Sequence, residues 1–135
     1  MSNHKLINLK TLGDNRGSLI ALEENDNIPF NIKRVYYIYE TKTNVRRGFH
    51  AHKNLKQVAI CVSGSCKFLL DNGTTKESVT LDSPEIGLYL SGLIWREMYD
   101  FSKDCVLMVL ANAHYDENDY IRDYTDFLKE VQNDT

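Results

Sequence analysis

About ten short segments rich in β-branched and aromatic residues, separated by turn signals, constrain the fold of this chain more than any other feature. Such enrichment favours strands over helices. Asn72-Gly73 marks a tight hairpin between two segments, because Asn-Gly readily adopts the positive φ angles of such a turn. Many short strands of this kind predict an all-β sandwich or barrel. The predicted strands are Lys5–Leu9, Ser18–Leu22, Ile32–Tyr39, Arg46–Lys53, Gln57–Val62, Cys66–Leu70, Glu77–Leu81, Gly87–Leu90, Leu93–Met98 and Cys105–Ala111.

The C-terminal segment has a different period. From Asn118 onward, apolar residues recur at three- and four-residue spacings, which indicates an amphipathic helix. Asp116 and Asn118 are candidate N-caps for it. There is no internal repeat and no low-complexity linker, so we predict a single domain over residues 1–135 that ends in a helix. The periodic residues are Tyr120, Tyr124, Phe127, Leu128 and Val131.

Charge and composition exclude several classes of protein. A net charge of −3 gives no electrostatic reason to expect binding to nucleic acid or to an anionic membrane. No apolar run approaches the roughly 18–20 residues that span a bilayer, and the N-terminus lacks the apolar core of a signal peptide. Cys61, Cys66 and Cys105 are odd in number and lie in apolar runs, which predicts buried free thiols in a reducing cytoplasm.

His50 and His52 are the first candidate functional residues. In a strand their side chains share one face, about 6.5–7 Å apart, whereas Ala51 faces the other way. The pair, followed by Gln57 and then Gly64, resembles the first sequence motif of the cupin β-barrels. The alternative is two surface histidines on a basic edge strand, since His-x-His is a short pattern.

Two residues of this pattern disfavour a metal site. A metal-binding cupin usually has Glu at the position of Gln57 and a third histidine where this chain has Arg96. A guanidinium stays protonated and has no free lone pair, and two neutral imidazoles without a carboxylate bind divalent metals poorly. We therefore expect no metal. His50 and His52 remain candidates for proton transfer near neutral pH.

Arginines and aromatic residues complete the candidate site. Guanidinium groups could bind phosphate oxygens or hold an enolate oxygen, although a single arginine is more often a surface residue. Tyr36 and Tyr37 must place their rings on opposite faces of a strand, so that one packs in the core and the other is free to stack on a base or sugar. Trp95 has the same two interpretations. The candidate substrate-binding residues are Arg16, Tyr37, Arg47, Trp95 and Arg96.

Seven segments, taken together and in order, resemble the dTDP-4-keto-6-deoxyglucose 3,4-ketoisomerases, bacterial enzymes that make precursors of 3-amino-3,6-dideoxy sugars. The likeness runs from about Leu6 to Phe127. The segments are Asp14–Leu19, Ile28–Phe30, Ile32–Ile38, Arg47–Lys53, Gly87–Tyr89, Trp95–Met98 and Tyr115–Arg122.

The resemblance implies a metal-free, cofactor-free cupin barrel that binds a dTDP-sugar. It also implies a homodimer in which N-terminal strands are exchanged, and it places His50 and His52 in the active site. One histidine would remove the C3 proton, which the C4 ketone acidifies, to give an enediolate. Its neighbour would move protons between the sugar oxygens or to C4. The residues alone do not say which histidine is the base.

The family divides by the face of C4 that is reprotonated. Galacto-forming members carry Arg at the position of Arg16 and His at that of Arg96, whereas gluco-forming members carry Tyr and Arg. This chain has Arg at both positions. We expect a galacto product or a mixture.

Three alternative functions remain open. A dTDP-sugar 3,5-epimerase on a related barrel needs a His–Asp dyad and an opposing tyrosine acid, and we expect no carboxylate on the face that carries His50 and His52. A non-enzymatic cupin that binds a nucleotide sugar would use the histidines only for hydrogen bonding. A metal-dependent oxygenase would need the metal that Gln57 and Arg96 disfavour.

Overall fold

The computed structural model describes residues 3–134, and strands dominate it. Residues 1, 2 and 135 of the predicted domain lie outside the described part. A single 3₁₀ turn, Glu117–Asp119, and one helix, α1 (Tyr124–Asn133), accompany the strands there, which confirms the predicted all-β class with a terminal helix. The strands are β1 (Asn3–Asn8), β2 (Leu12–Asp14), β3 (Gly17–Leu19), β4 (Arg34–Tyr39), β5 (Arg47–His52), β6 (Gln57–Ser63), β7 (Cys66–Asp71), β8 (Lys76–Leu81), β9 (Ile86–Ser91), β10 (Trp95–Tyr99), β11 (Val106–Ala111) and β12 (Tyr120–Ile121).

Two five-stranded antiparallel sheets form the body of the molecule. Their strand orders are β1-β9-β6-β11-β4 and β12-β5-β10-β7-β8, and β2 and β3 form a separate hairpin. The sheets pack face to face in a jelly-roll arrangement, because Leu88 and Leu107 of the first share one buried cluster with Phe68 and Met98 of the second. Alternate residues of these strands point inward, so a polar side chain at an inward position lies between the sheets.

The outer face of the first sheet is covered by the irregular segment before β4. Ile28 and Phe30 of that segment pack on Val58, Ile60 and Leu110, in a second buried cluster. The inward face of this sheet carries the core cluster described above and, at other inward positions, the polar residues described below.

Helix α1 covers the outer face of the second sheet. Its Phe127 is fully buried and packs with Ala51, Trp95 and Ile121. Asp123 caps the helix by accepting a hydrogen bond from the Asp126 amide at 3.0 Å.

The predicted start of the helix near Asn118 is wrong. Asp116 caps the short 3₁₀ turn instead, and Tyr120 then pairs with His52 as part of β12. The apolar spacing that includes Tyr120 therefore joins two elements, because the half-buried Tyr120 belongs to a strand and the buried Phe127 belongs to the following helix. In the described part of the chain, no helix is long and apolar enough to cross a membrane.

Candidate active site

His50 and His52 share the inward face of β5, as their spacing predicted. Their ring centroids are 4.9 Å apart and the rings meet edge to face, and His52 is only 1% exposed. Ala51 points the other way and packs beneath α1. The histidines are therefore part of the interior and not of a solvent-facing edge.

A bulge in the pairing of β5 with β10 precedes the histidines. Gly48 and Phe49 both have positive φ angles, and the register shifts by one residue at this point. A Cβ at Gly48 would lie 2.9 Å from the carbonyl oxygen of Arg96. Glycine thus permits the close approach of the two strands that carry His50 and Arg96.

Arg96 lies opposite His50 on β10 and is 3% exposed. Its Nη1 donates to the Gln57 side-chain oxygen at 2.5 Å, and its Nε and Nη2 donate to the Ile94 carbonyl at 3.3 and 3.1 Å. Gln57 in turn donates to the Tyr36 hydroxyl at 3.2 Å. All of these partners are neutral, so the buried positive charge lacks an ion-pair partner among them, and a buried unpaired charge favours an anion nearby.

Asp119 supplies a carboxylate to the histidine pair, and the expectation that this face has none is wrong. Its Oδ2 lies 3.0 Å from Nδ1 of His52. The same carboxylate accepts the backbone amides of Asn54, at 2.7 Å, and Leu55, at 3.3 Å. The expectation failed because Asp119 belongs to the 3₁₀ turn, 67 residues from His52, and only the pairing of β12 with β5 brings it there.

Tyr120 covers both histidines. Its ring centroid lies 5.0 Å from that of His50 and 4.3 Å from that of His52. The guanidinium of Arg122 lies over the same ring at 4.2 Å and is paired with Glu117 at 2.7 Å. Sequence reasoning missed Tyr120 because it treated this residue as helical.

Both imidazoles are neutral at physiological pH. Burial, followed by the nearby positive charge of Arg96, lowers the pKa of His50 to about 4 and that of His52 to about 2. Burial also lowers the pKa of Arg96, to about 10, which still leaves it charged near neutrality. The site therefore combines two uncharged bases with one buried cation.

Two cavities reach the histidines. One of about 380 Å³ is lined by His50 together with Tyr36, Arg47 and Arg122, and a second of about 210 Å³ is lined by His52 and Asp119. Arg34 lines both, and its buried Nε has no hydrogen-bond partner. The entrance is thus rich in arginine, including the predicted Arg47, and suits an anionic ligand.

Three other predicted residues do not reach this chain's histidine pair. Tyr37 is 63% exposed on the outer face of β4, because its neighbour Tyr36 takes the inward position. Trp95 is 5% exposed, packs against α1 and donates to Glu97 at 3.0 Å. Arg16 lies on the β2–β3 hairpin, paired with Asp14 at 2.6 Å.

His50, His52 and Asp119 are possible metal donors, but the site does not suit a metal ion, because Nδ1 of His52 is bonded to Asp119 and the cationic Arg96 lies opposite His50. Within residues 3–134, three or more Cys, His, Asp or Glu side chains come close enough to share an ion only at Cys61, Cys66 and Cys105.

Comparisons with known proteins agree with this geometry. A family model named FdtA and described as "WxcM-like, C-terminal" matches residues 2–132. The chain is 58% identical over 128 residues to a TDP-4-oxo-6-deoxy-alpha-D-glucose-3,4-oxoisomerase from Aneurinibacillus thermoaerophilus. The aligned residues cover 95% of this chain and 92% of that protein. It is 45% identical to QdtA, a sugar 3,4-ketoisomerase from Thermoanaerobacterium thermosaccharolyticum solved in complex with TDP, with a TM-score of 0.96 over 98% of this chain and 96% of that one. ChmJ, a 3'-monoepimerase from Streptomyces bikiniensis, is 16% identical with a TM-score of 0.75 over 87% of this chain and 67% of its own, and shares the fold alone.

Proposed function

Because the chain belongs to the FdtA family, we propose that it is a 3,4-ketoisomerase that converts dTDP-4-keto-6-deoxyglucose into a dTDP-3-keto-6-deoxyhexose. Its relatives are TDP-sugar ketoisomerases, and this chain is an isomerase of the same class, which interconverts a ketone and a hydroxyl. The observation that carries the proposal is a pair of neutral imidazoles, His52 buried and His50 half-buried, with the buried cation of Arg96 opposite His50. The product would serve the biosynthesis of a 3-amino-3,6-dideoxy sugar.

The reaction moves a hydrogen from C3 to C4 and a proton from the C3 oxygen to the C4 oxygen. The C4 ketone acidifies the C3–H bond, so a positioned base can remove that proton and leave an enediolate across C3 and C4. The proton on the C3 oxygen must then reach the C4 oxygen, and a proton must be delivered to C4. Two adjacent imidazoles suit these transfers, because each can accept and return a proton.

We assign His52 as the base that removes the C3 proton. A carboxylate only accepts hydrogen bonds, so Nδ1 of His52 must carry the proton that it donates to Asp119. Nε2 of His52 therefore presents a lone pair, and in the structure this atom is buried without a hydrogen-bond partner. His50, whose Nδ1 also lacks a partner, would shuttle protons between the sugar oxygens or to C4.

Arg96 would hold the negative charge of the enediolate. Its guanidinium is already oriented by Gln57 and the Ile94 carbonyl, so it needs no reorganisation when charge develops. Arg34 and Arg47 line the cavity entrance and would hold the diphosphate of the substrate.

Proton NMR of the purified protein with dTDP-4-keto-6-deoxyglucose in D2O, with chelator present, tests the proposal. We expect a 3-keto sugar that carries deuterium at C4. The variants His50→Asn and His52→Asn should stay folded and bind TDP but lose turnover. Normal turnover in both variants would overturn the histidine assignment, and a substrate that binds but stays unchanged would indicate a binding protein.

A dTDP-sugar 3,5-epimerase is the second candidate, and the structure makes it stronger than the sequence did. The His52–Asp119 pair and the adjacent Tyr120 are the groups that such a reaction needs. Deuterium at C5 of the sugar, without a 3-keto product, would identify this activity in the same NMR experiment.

The C4 configuration stays a prediction. Arg16 follows the galacto-forming pattern and Arg96 the gluco-forming one, so we propose galacto as the major product and gluco as the minor one. The C4 proton couplings of the product distinguish them. An exclusively gluco product would show that Arg96 alone sets the outcome.

We also propose a homodimer with exchanged N-terminal strands. The β2–β3 hairpin is a separate two-stranded sheet, and its Leu12 and Leu19 are 47% and 57% exposed. Apolar side chains on a projecting hairpin are typical of a surface that a partner covers. The exchange would carry Arg16 toward the second copy's cavity. Light scattering of the full chain should give twice the monomer mass, and a monomer at working concentration would contradict the proposal.

A further inference from the structure

The three cysteines meet in one place at the end of the core opposite the histidines. Sγ of Cys61 lies 3.4 Å from Sγ of Cys66 and 3.8 Å from Sγ of Cys105, and all three sulfurs lie within 4.8 Å of one another. Cys61 is four residues along β6 from Gln57, on the same inward face, so the cluster lies about 13 Å from the active site. The proposed isomerase mechanism does not use it.

The spacing of the sulfurs fits a three-coordinate centre. A point equidistant from three sulfurs with these separations lies at most about 2.4 Å from each, close to the ~2.3 Å of a metal–thiolate bond. Structural zinc normally requires a fourth ligand. No fourth Cys, His, Asp or Glu of residues 3–134 joins this group.

The surroundings favour a complex without net charge. Cys61 and Cys66 are fully buried and Cys105 is 3% exposed, among side chains such as Phe68 and Leu107. A charged complex in these surroundings would bear a large desolvation cost.

Two of the three thiols, Cys66 and Cys105, resist ionisation. The hydrogen bond to Cys61, together with burial, raises the pKa of Cys66, and burial raises the pKa of Cys105 to about 12. The hydrogen bond from Cys66 lowers the pKa of Cys61. The carboxylates of Asp82, acting on Cys61, and Asp104, acting on Cys105, oppose further negative charge.

We propose that Cys61, Cys66 and Cys105 form a binding site for a soft trivalent ion, with arsenite, As(OH)3, as the fitting ligand. Each of three thiols exchanges its S–H bond for an As–S bond, and each As–OH leaves as water with the thiol proton. Arsenic stays trivalent and the product is neutral. A divalent ion with three thiolates would leave one negative charge in the core, and a monovalent ion would leave two.

Binding would join the two sheets. Cys61 lies on β6 of the first sheet, Cys66 on β7 of the second, and Cys105 immediately before β11. Entry requires the loop before Cys105 to open, because Ser102 and Ser65 close it through two hydrogen bonds of 2.9 Å. We therefore expect slow loading and a higher melting temperature of the loaded protein.

Native mass spectrometry and thiol titration of the folded protein with arsenite test the site. We expect one arsenic per chain, the loss of three hydrogens and of all three titratable thiols, and a raised melting temperature. Cys105→Ala should bind at least about tenfold more weakly and lose only two thiols. Met108→Leu, which removes a sulfur outside the cluster, should bind as the natural chain does.

The pH dependence separates a neutral condensation from ordinary metal binding. Affinity should be the same at about pH 6.5 and pH 8, because no net proton is released, whereas an ion that displaces thiol protons binds more tightly as the pH rises. Binding only after unfolding, equal affinity in Cys105→Ala, or an affinity that rises with pH would each overturn the proposal. Circular dichroism of Cys105→Ala establishes that weaker binding does not reflect misfolding.

Discussion

The replacement Asp119→Asn tests the assignment of the base most directly. The amide has nearly the same shape as the carboxylate, and with its oxygen at the position of Oδ1 it can still accept the amide of Asn54. Its NH2 group would then replace Oδ2, so that it faces Nδ1 of His52 across the 3.0 Å contact and no longer accepts the Leu55 amide. A donor at that position requires Nδ1 to accept, which moves the imidazole proton to Nε2 and removes the lone pair that would take the C3 proton.

The expected loss follows from the size of general base catalysis. A positioned base contributes about 10²–10⁴ to the rate, so kcat should fall by that factor, equivalent to about 3–5 kcal/mol in the activation barrier. KM should change little, because Asp119 acts through His52 and not on the substrate. Stability should fall by about 1–3 kcal/mol, since the Asn54 amide keeps its acceptor but the Leu55 amide loses one.

Steady-state kinetics of Asp119→Asn and of the control Asp116→Asn measure this effect. The control makes the same Asp-to-Asn substitution three residues away. Asp116 caps the 3₁₀ turn by accepting a hydrogen bond from the Asn118 amide at 3.0 Å. The control should retain its kcat, because asparagine also caps well. If both variants turn over at rates within about threefold of the natural enzyme, Asp119 serves only to hold the backbone amides of Asn54 and Leu55, and it does not set the tautomer of His52.

Four further predictions concern charge and packing. The ratio kcat/KM should stay flat as the pH falls from 8 to about 6 and should decline toward pH 4, because the pKa values of His50 and His52 are lowered to about 4 and about 2. A pH–rate profile measures this, and a decline centred near pH 6.5 would contradict it. The free energy of unfolding should likewise fall as the pH drops below 6.5, since the unfolded chain binds protons there that the folded histidines do not, and denaturant titrations at several pH values measure it. Arg96→Met should lower kcat at least about 100-fold. The free energy of unfolding should change by less than about 2 kcal/mol, because the loss of a buried unpaired charge offsets the loss of its hydrogen bonds. Turnover near the natural rate would refute the role of Arg96. Trp95→Ala should lower the free energy of unfolding by about 3–5 kcal/mol, because the contacts of Trp95 with Phe127 are lost. KM should stay unchanged below the melting temperature, and a raised KM would indicate that Trp95 contacts the substrate.

The shared face of the two histidines was predictable from a local rule alone. Two residues that are two positions apart in a strand have their side chains on the same face. This holds for His50 and His52 whichever strands pair with theirs. The same rule established that Tyr36 and Tyr37 point in opposite directions, but not which of the two points inward. That choice depends on the side of β4 that the second sheet covers.

Asp119 and Tyr120 show where local rules end. Their sequence context offered a helix, since Tyr120 shares a three- and four-residue spacing with Tyr124 and Phe127. In the structure Tyr120 is instead a strand residue held by backbone pairing with His52. Such pairing between residues 68 positions apart has no signature in either segment alone.

By itself, the sequence determined the approximate positions of ten of the twelve described strands, the terminal helix, and the shared face of His50 and His52. Each of these depends on residue type and on a short period along the chain. Only the tertiary structure decided that Tyr36, Gln57, Arg96 and Asp119 converge on those histidines. They come from three further strands and a turn, and their meeting depends on sheet order, register and the β5 bulge, which are set by burial across the whole domain.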